Sequence, residues 1–121
     1  SATGSNSGTS MVEVASFTPI TSGYHLTPSA MKFEYSCNST GSNYKASWRY
    51  RIYYADGSNY YSESSGWLYC PSGYATLTSI DLTPHPNMTG RITKIVMEGD
   101  GYQSYVGMHG RIIVSGYEHA P

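Results

Sequence analysis

From Met11 onward, apolar residues fall at alternate positions in short runs, and clusters of Gly, Pro, Asn and Asp break those runs about every 8–12 residues. No stretch carries the 3.6-residue spacing of an amphipathic helix. A chain patterned this way must bury one face of each of several short strands, so it folds as an all-β, antiparallel sandwich or barrel. The pattern predicts strands over 12–18, 31–37, 45–54, 59–69, 74–82, 91–98 and 109–117. A chain of 121 residues holds one core, and we assign the β-sandwich domain to residues 11–121.

The clearest strand is Ser47–Tyr54. Trp48, Tyr50, Ile52 and Tyr54 share one face, while Ser47, Arg49, Arg51 and Tyr53 share the other. Asp56-Gly57 then supplies a turn that accepts positive φ, and Tyr60-Tyr61 begins the return strand. In Lys32–Cys37 the odd positions are apolar, which turns Cys37 inward with Phe33 and Tyr35. Pro84 and Pro86 exclude a central strand around His85. Residues 1–10, rich in Ser, Gly and Thr, read as a linker, an arm or a tag remnant, and an arm of this kind is ordered only where something ties it down, such as a neighbouring subunit.

Thirteen tyrosines stand against two Phe, two Trp and four Leu. Tyr suits half-buried sheet faces and wet binding surfaces, because one end is apolar and the other hydrogen-bonds. The charge is nearly balanced, with seven Lys/Arg and eight Asp/Glu in no like-charged run, so nucleic acid has no electrostatic footprint to read. No apolar stretch approaches the ~20 residues needed for a helical membrane span, and any export signal is expected outside this segment.

Cys37 and Cys70 allow one disulfide, which would close a loop of about 34 residues and contribute about 3 kcal/mol by restricting the unfolded chain. Two buried free thiols are the alternative. Sequons stand at Asn38-Ser39-Thr40 and Asn87-Met88-Thr89.

No nucleophile elbow, phosphate loop, His-Glu-x-x-His or Cys-x-x-Cys motif is present, and His25, His85, His109 and His119 are scattered. A glycosidase needs two carboxylates within about 5–10 Å. Asp56 and Asp100 could form such a pair only if their loops share one end of the sandwich; as Asp-Gly dipeptides they read as turns. We therefore expect no catalytic residues and no enzyme. We also expect no cofactor, with a structural calcium as the minor alternative, since the eight acids show no D-x-D clustering.

Three places combine aromatic rings with planar polar groups, the pairing that reads a sugar's flat C–H face and its rim of hydroxyls. They are Asn59-Tyr60-Tyr61, Gly66-Trp67-Leu68-Tyr69, and the expected loop Asp100-Gly101-Tyr102-Gln103-Ser104-Tyr105. Alternation sends one of Tyr60 and Tyr61 inward and the other outward. The candidate ligand-binding residues are Asp100, Tyr102, Gln103 and Tyr105, followed by Asn59, Tyr60, Tyr61 and Trp67. Arg49 and Arg51 read as a solvated sheet face.

Residues Ser79–Gly116 contain a strand end Ser79-Ile80-Asp81-Leu82, a loop, Gly90-Arg91-Ile92-Thr93-Lys94-Ile95, a Gly/Asp turn, and a closing Gly110-Arg111-Ile112-Ile113-Val114-Ser115-Gly116. This succession resembles the C-terminal half of carbohydrate-binding jelly-roll modules found on polysaccharide-degrading enzymes and on bacteriophage and bacterial fibres. It departs from them at Asn87-Met88, where such modules usually carry Trp. The resemblance implies a jelly-roll that binds a surface glycan or polysaccharide as a lectin-like adhesion module. It further implies an extracellular or virion-appendage setting, on the tip of a homotrimeric tail fibre, without membrane insertion. Two other readings stay open: a structural assembly domain of a fibre, and an accessory domain of a glycan-degrading enzyme.

Overall fold

A computed structural model describes residues 2–7, 11–73, 78–82 and 90–121, and the description below concerns these. Nine strands follow in order: β1 (Ala2–Ser7), β2 (Val12–Phe17), β3 (His25–Cys37), β4 (Lys45–Tyr54), β5 (Asn59–Tyr61), β6 (Leu68–Tyr69), β7 (Thr78–Leu82), β8 (Ile92–Gly101) and β9 (Gly107–His119). All pairings are antiparallel. One layer, sheet I, runs β1-β9-β3-β7; the other, sheet II, runs β2-β8-β4 with β5 and β6 end to end along the far edge of β4. A single pair, Leu26 with Ile92, joins the layers through β3 and β8. The protein is thus an all-β antiparallel sandwich. Its pairing is nested: β1 with β9, β2 with β8, β3 with β7, and β4 with β5 and β6.

Period-two alternation sets what each sheet buries. Phe33, Met108 and Ile112 from sheet I meet Val14, Ile52, Ile95 and Met97 from sheet II in one core, all at most 1% exposed. The Phe33 ring packs edge-on to Trp48 at 5.7 Å and Tyr50 at 6.1 Å, across the two layers. Gly99 and Gly110 mark the closest approach of the layers. A Cβ on Gly110 would stand 2.9 Å from Val14 Cγ2 and 3.1 Å from Met97 Sδ, and one on Gly99 would run into Met108 Sδ.

β4 matches its predicted span, and its two faces divide as the alternation requires. The Asp56-Gly57 turn closes as expected, with Gly57 at φ 88° and Asp56 Oδ1 accepting the Ser58 N–H at 2.8 Å. The predicted disulfide is present: Cys37 at the end of β3 is bonded to Cys70 after β6, with 5.8 Å between their Cα atoms. It ties sheet I to the far edge of sheet II, where Cys70 N–H donates to Tyr44 O and Cys37 N–H to Ser72 O.

The structure departs from the sequence reading in four places. Ala2–Ser7, read as part of a linker or tag, forms an edge strand on β9 of the same chain, so its ordering needs no neighbouring subunit. β3 begins six residues before the predicted strand, because the ladder passes Pro28 at a bulge between Pro28 and Ala30 that spares the missing N–H. The predicted strand 59–69 is interrupted between β5 and β6. There the Ser62 and Ser65 hydroxyls accept the Tyr50 and Trp48 N–H groups, while the serine N–H groups still donate to Tyr50 O and Trp48 O, so only half of each ladder pair passes to a side chain. β8 runs on to Gly101, which places Asp100 on a strand rather than in a loop. Residues 74–77 of the predicted strand 74–82, together with His85 and Asn87-Met88, lie outside the described residues.

Candidate functional site

The two outer faces differ in kind. On sheet I, Lys32 pairs with Asp81 at 3.9 Å, and Arg111 donates its Nε to Glu34 at 2.6 Å while Ser79 donates to the same carboxylate. These opposite charges face each other across strands in water. On sheet II the outward positions of β4 (Lys45, Ser47, Arg49, Arg51, Tyr53) lie beside rings from the neighbouring strands.

At one end, Trp67 meets Tyr102 edge to face at 5.3 Å. Lys45 Nζ lies 5.0 Å from the Tyr102 ring and 5.2 Å from the Tyr69 ring, which is its cross-strand partner. Three rings and one ammonium therefore form a platform. It stays open to solvent: Trp67 is 46% exposed, Tyr69 65% and Tyr102 38%. Large rings left this exposed in a small domain are the unusual observation.

Along β4 the platform continues as alternating cations and rings. Tyr61 lies opposite Arg51, with the Arg49 and Arg51 guanidinium carbons both 4.4 Å from its ring centre. Arg51 also lies 4.5 Å from Tyr53, and Lys94 Nζ 5.8 Å from that ring. Such contacts stabilise by about 0.5–1 kcal/mol each at exposed sites, enough to bias rotamers along the ladder.

Arg49 Nε donates to Glu98 at 2.6 Å, and Lys94 pairs with Glu13 at 3.5 Å. Asp100 faces outward opposite Ser47 yet is only 7% exposed. Its Oδ1 is buried with no hydrogen-bond partner among the described residues. Burial raises its pKa from the ordinary aspartate value, against a smaller lowering by the Gly101 N–H.

The residues singled out from the sequence therefore separate. Trp67 and Tyr102 come together, with Asp100 next along the same face. Tyr61 is outward and part of the ladder, whereas Tyr60 turns inward and packs on Tyr50 at 6.4 Å. Asn59 is exposed opposite Tyr53, and Gln103 is exposed in the β8–β9 turn, where its carbonyl accepts the Val106 N–H. Tyr105, although 48% exposed, packs on Tyr44 at 5.5 Å, and its carbonyl accepts from Asn38 Nδ2.

Lys45 and Tyr53 are not among the sequence candidates, Tyr69 enters there only within the Gly66–Tyr69 segment, and Arg49 and Arg51 read there as a solvated face. Alternation along β4 does put 45, 49, 51 and 53 on one side. The register that sets Tyr61 and Tyr69 beside them, however, belongs to the sheet.

Asp56 and Asp100 do not form a carboxylate pair. Asp100 is registered with Ser47, whereas Asp56 follows Tyr54 at the other end of β4, about 23 Å away along the strand. Among the described residues no group of three His, Cys, Asp or Glu could hold a metal ion, and no helix is long and apolar enough to cross a membrane. No protein-family model and no curated protein sequence matches this chain.

Proposed function

We propose that this domain is a non-catalytic carbohydrate-binding module that takes a surface glycan or polysaccharide along the outer face of sheet II. One observation carries the reading. That face exposes Trp67, Tyr69, Tyr102 and Tyr61 in a single row, braced by cations that hold the rings in place. Rings fixed in this way give sugar C–H faces a surface to stack on, while the tyrosine hydroxyls and the Lys45 ammonium beside them meet its hydroxyls. The nested strand pairing supports a jelly-roll winding, with each sheet built from alternate arms of one long ribbon. The Cys37–Cys70 bond suits an oxidising setting, which agrees with an adhesin or tail-fibre tip outside the cell.

Binding by stacking and a few hydrogen bonds gives a Kd on the order of 0.1–1 mM per site. On a homotrimeric fibre, avidity tightens overall binding beyond that of a single site. A glycan array probed with the intact chain tests the reading. Trp67→Ala and Tyr102→Ala abolish binding with little change in melting temperature, whereas Tyr105→Ala leaves binding in place. Retained binding in both of the first two variants refutes the site.

A second reading, an assembly domain, is favoured by Ile20 at 87% and Tyr117 at 71% exposure, which flank an apolar cleft with Phe17, Leu26 and Val114. Light scattering separates the two readings. If the cleft is the working surface, Ile20→Ser lowers the oligomer mass and leaves glycan binding untouched.

A further inference from the structure

Arg49 and Arg111 each give their Nε to a carboxylate, at 2.6 Å in both cases. Arg51 does not. Its guanidinium makes no hydrogen bond or ion pair with any described residue, and its Nε is buried without an acceptor. The rings of Tyr53 and Tyr61, 4.5 and 4.4 Å from its Cζ, fix its position without using any of its N–H groups. A planar cation is thus held between two rings on the outer face of sheet II with its donors unspent, and, because Nε is buried, the terminal Nη groups are the donors left for a ligand.

Glu98, the outward acid two residues along β8 from Val96, the cross-strand partner of Arg51, is committed to Arg49. Asp100 is registered with Ser47, four residues from Arg51 along β4, or about 13 Å. Neither supplies the missing anion.

We infer that Arg51 selects a sugar carrying a carboxylate, a uronate or sialate unit, through an end-on pair of hydrogen bonds from its two Nη groups. The inference rests on the glycan reading of this face and names its substrate class. A planar fork matches a carboxylate in two parallel bonds, a match that a lysine ammonium cannot reproduce. Pre-ordering by the two rings removes much of the entropy loss that a long exposed side chain meets on binding.

The test measures binding of the intact chain to immobilised polygalacturonate, alginate, hyaluronan and polysialate. Each is compared with its carboxyl-reduced form, and dextran sulfate with dextran. We expect roughly tenfold tighter binding to the acid form of at least one polymer than to its reduced form. Arg51→Lys brings the affinity for the acid form down to that of the reduced form. Tyr53→Leu, which takes away one ring and keeps the guanidinium, weakens it and serves as the second variant should the first fail to fold. Equal binding of acid and reduced forms, stronger binding to dextran sulfate than to every carboxylate, or a preference that survives Arg51→Lys overturns the inference and leaves the glycan reading standing. Binding to none of these polymers in either form overturns the selectivity, and an empty glycan array overturns the site itself.

Discussion

Breaking the Cys37–Cys70 bond should destabilise the fold and disarm the platform together. The bond spans 33 residues of sequence. By chain entropy a closed loop of that size lies between the ~3 kcal/mol of a 15-residue loop and the ~4.7 kcal/mol of a 100-residue loop, so its loss costs about 3.5 kcal/mol. A 121-residue chain unfolds with an entropy of about 0.25 kcal/mol/K near its midpoint, at ~2.1 cal/mol/K per residue. The ratio gives a fall in Tm of about 14 °C. Cys37 is fully buried and Cys70 only 5% exposed, so Cys37→Ala/Cys70→Ala avoids the buried hydroxyls that serine would introduce. Scanning calorimetry of the oxidised protein and the double variant reads the shift. Because Cys70 N–H donates to Tyr44 O and Cys70 follows Tyr69 directly, the same variant loosens the edge that carries Trp67 and Tyr69. If the proposed glycan site is the working one, affinity for glycan therefore falls even well below the Tm. A Tm change under about 5 °C, with undiminished binding, would refute both the loop argument and the bracing role.

Gly110→Ala overpacks the contact between the layers at Val14 and Met97, and we expect a loss of about 1–3 kcal/mol in denaturant unfolding; an unchanged midpoint would mean that the layers can separate freely. Glu34 has its pKa lowered, first by the hydrogen bond from Arg111. Its contribution is therefore complete above the ordinary glutamate range and is lost as pH falls through the lower folded value. The Tm gap between wild type and Glu34→Gln should accordingly be open at pH 6 and narrow by about pH 3. Asp100 has the opposite sign: burial raises its pKa, so the ionised form is penalised above the folded value and stability recovers as pH drops through it. Asp100→Asn should raise Tm at neutral pH and not at acid pH; a lower Tm at neutral pH would show that the carboxylate is paired.

Much of this molecule is fixed by local pattern. Alternation in Ser47–Tyr54 is enough to put Trp48, Tyr50 and Ile52 in the core and the two arginines outside, since successive side chains on a strand point to opposite faces. Asp56-Gly57 fixes its own turn, because the dipeptide supplies both the φ of 88° and the carboxylate that holds it. The inward position of Cys37 follows from its neighbours; its bonding to Cys70 needs β3 and the end of β6 to meet. Strand ends were less legible, because a bulge at Pro28 and two serine hydroxyls beside β4 rescued backbone groups that the chain by itself would leave unpaired. The sequence drew attention to Trp67, Tyr102 and Tyr61 as rings beside polar groups, yet it grouped Tyr102 with Tyr105, which the fold sends to Tyr44. Lys45, Tyr69, Arg51 and Tyr53 became site residues only through cross-strand register, which depends on how far β5, β6 and β8 slide along β4. Composition determined that the protein would display tyrosine; pairing between distant segments decided which tyrosines stand in one row and which cation among them was left without an anion.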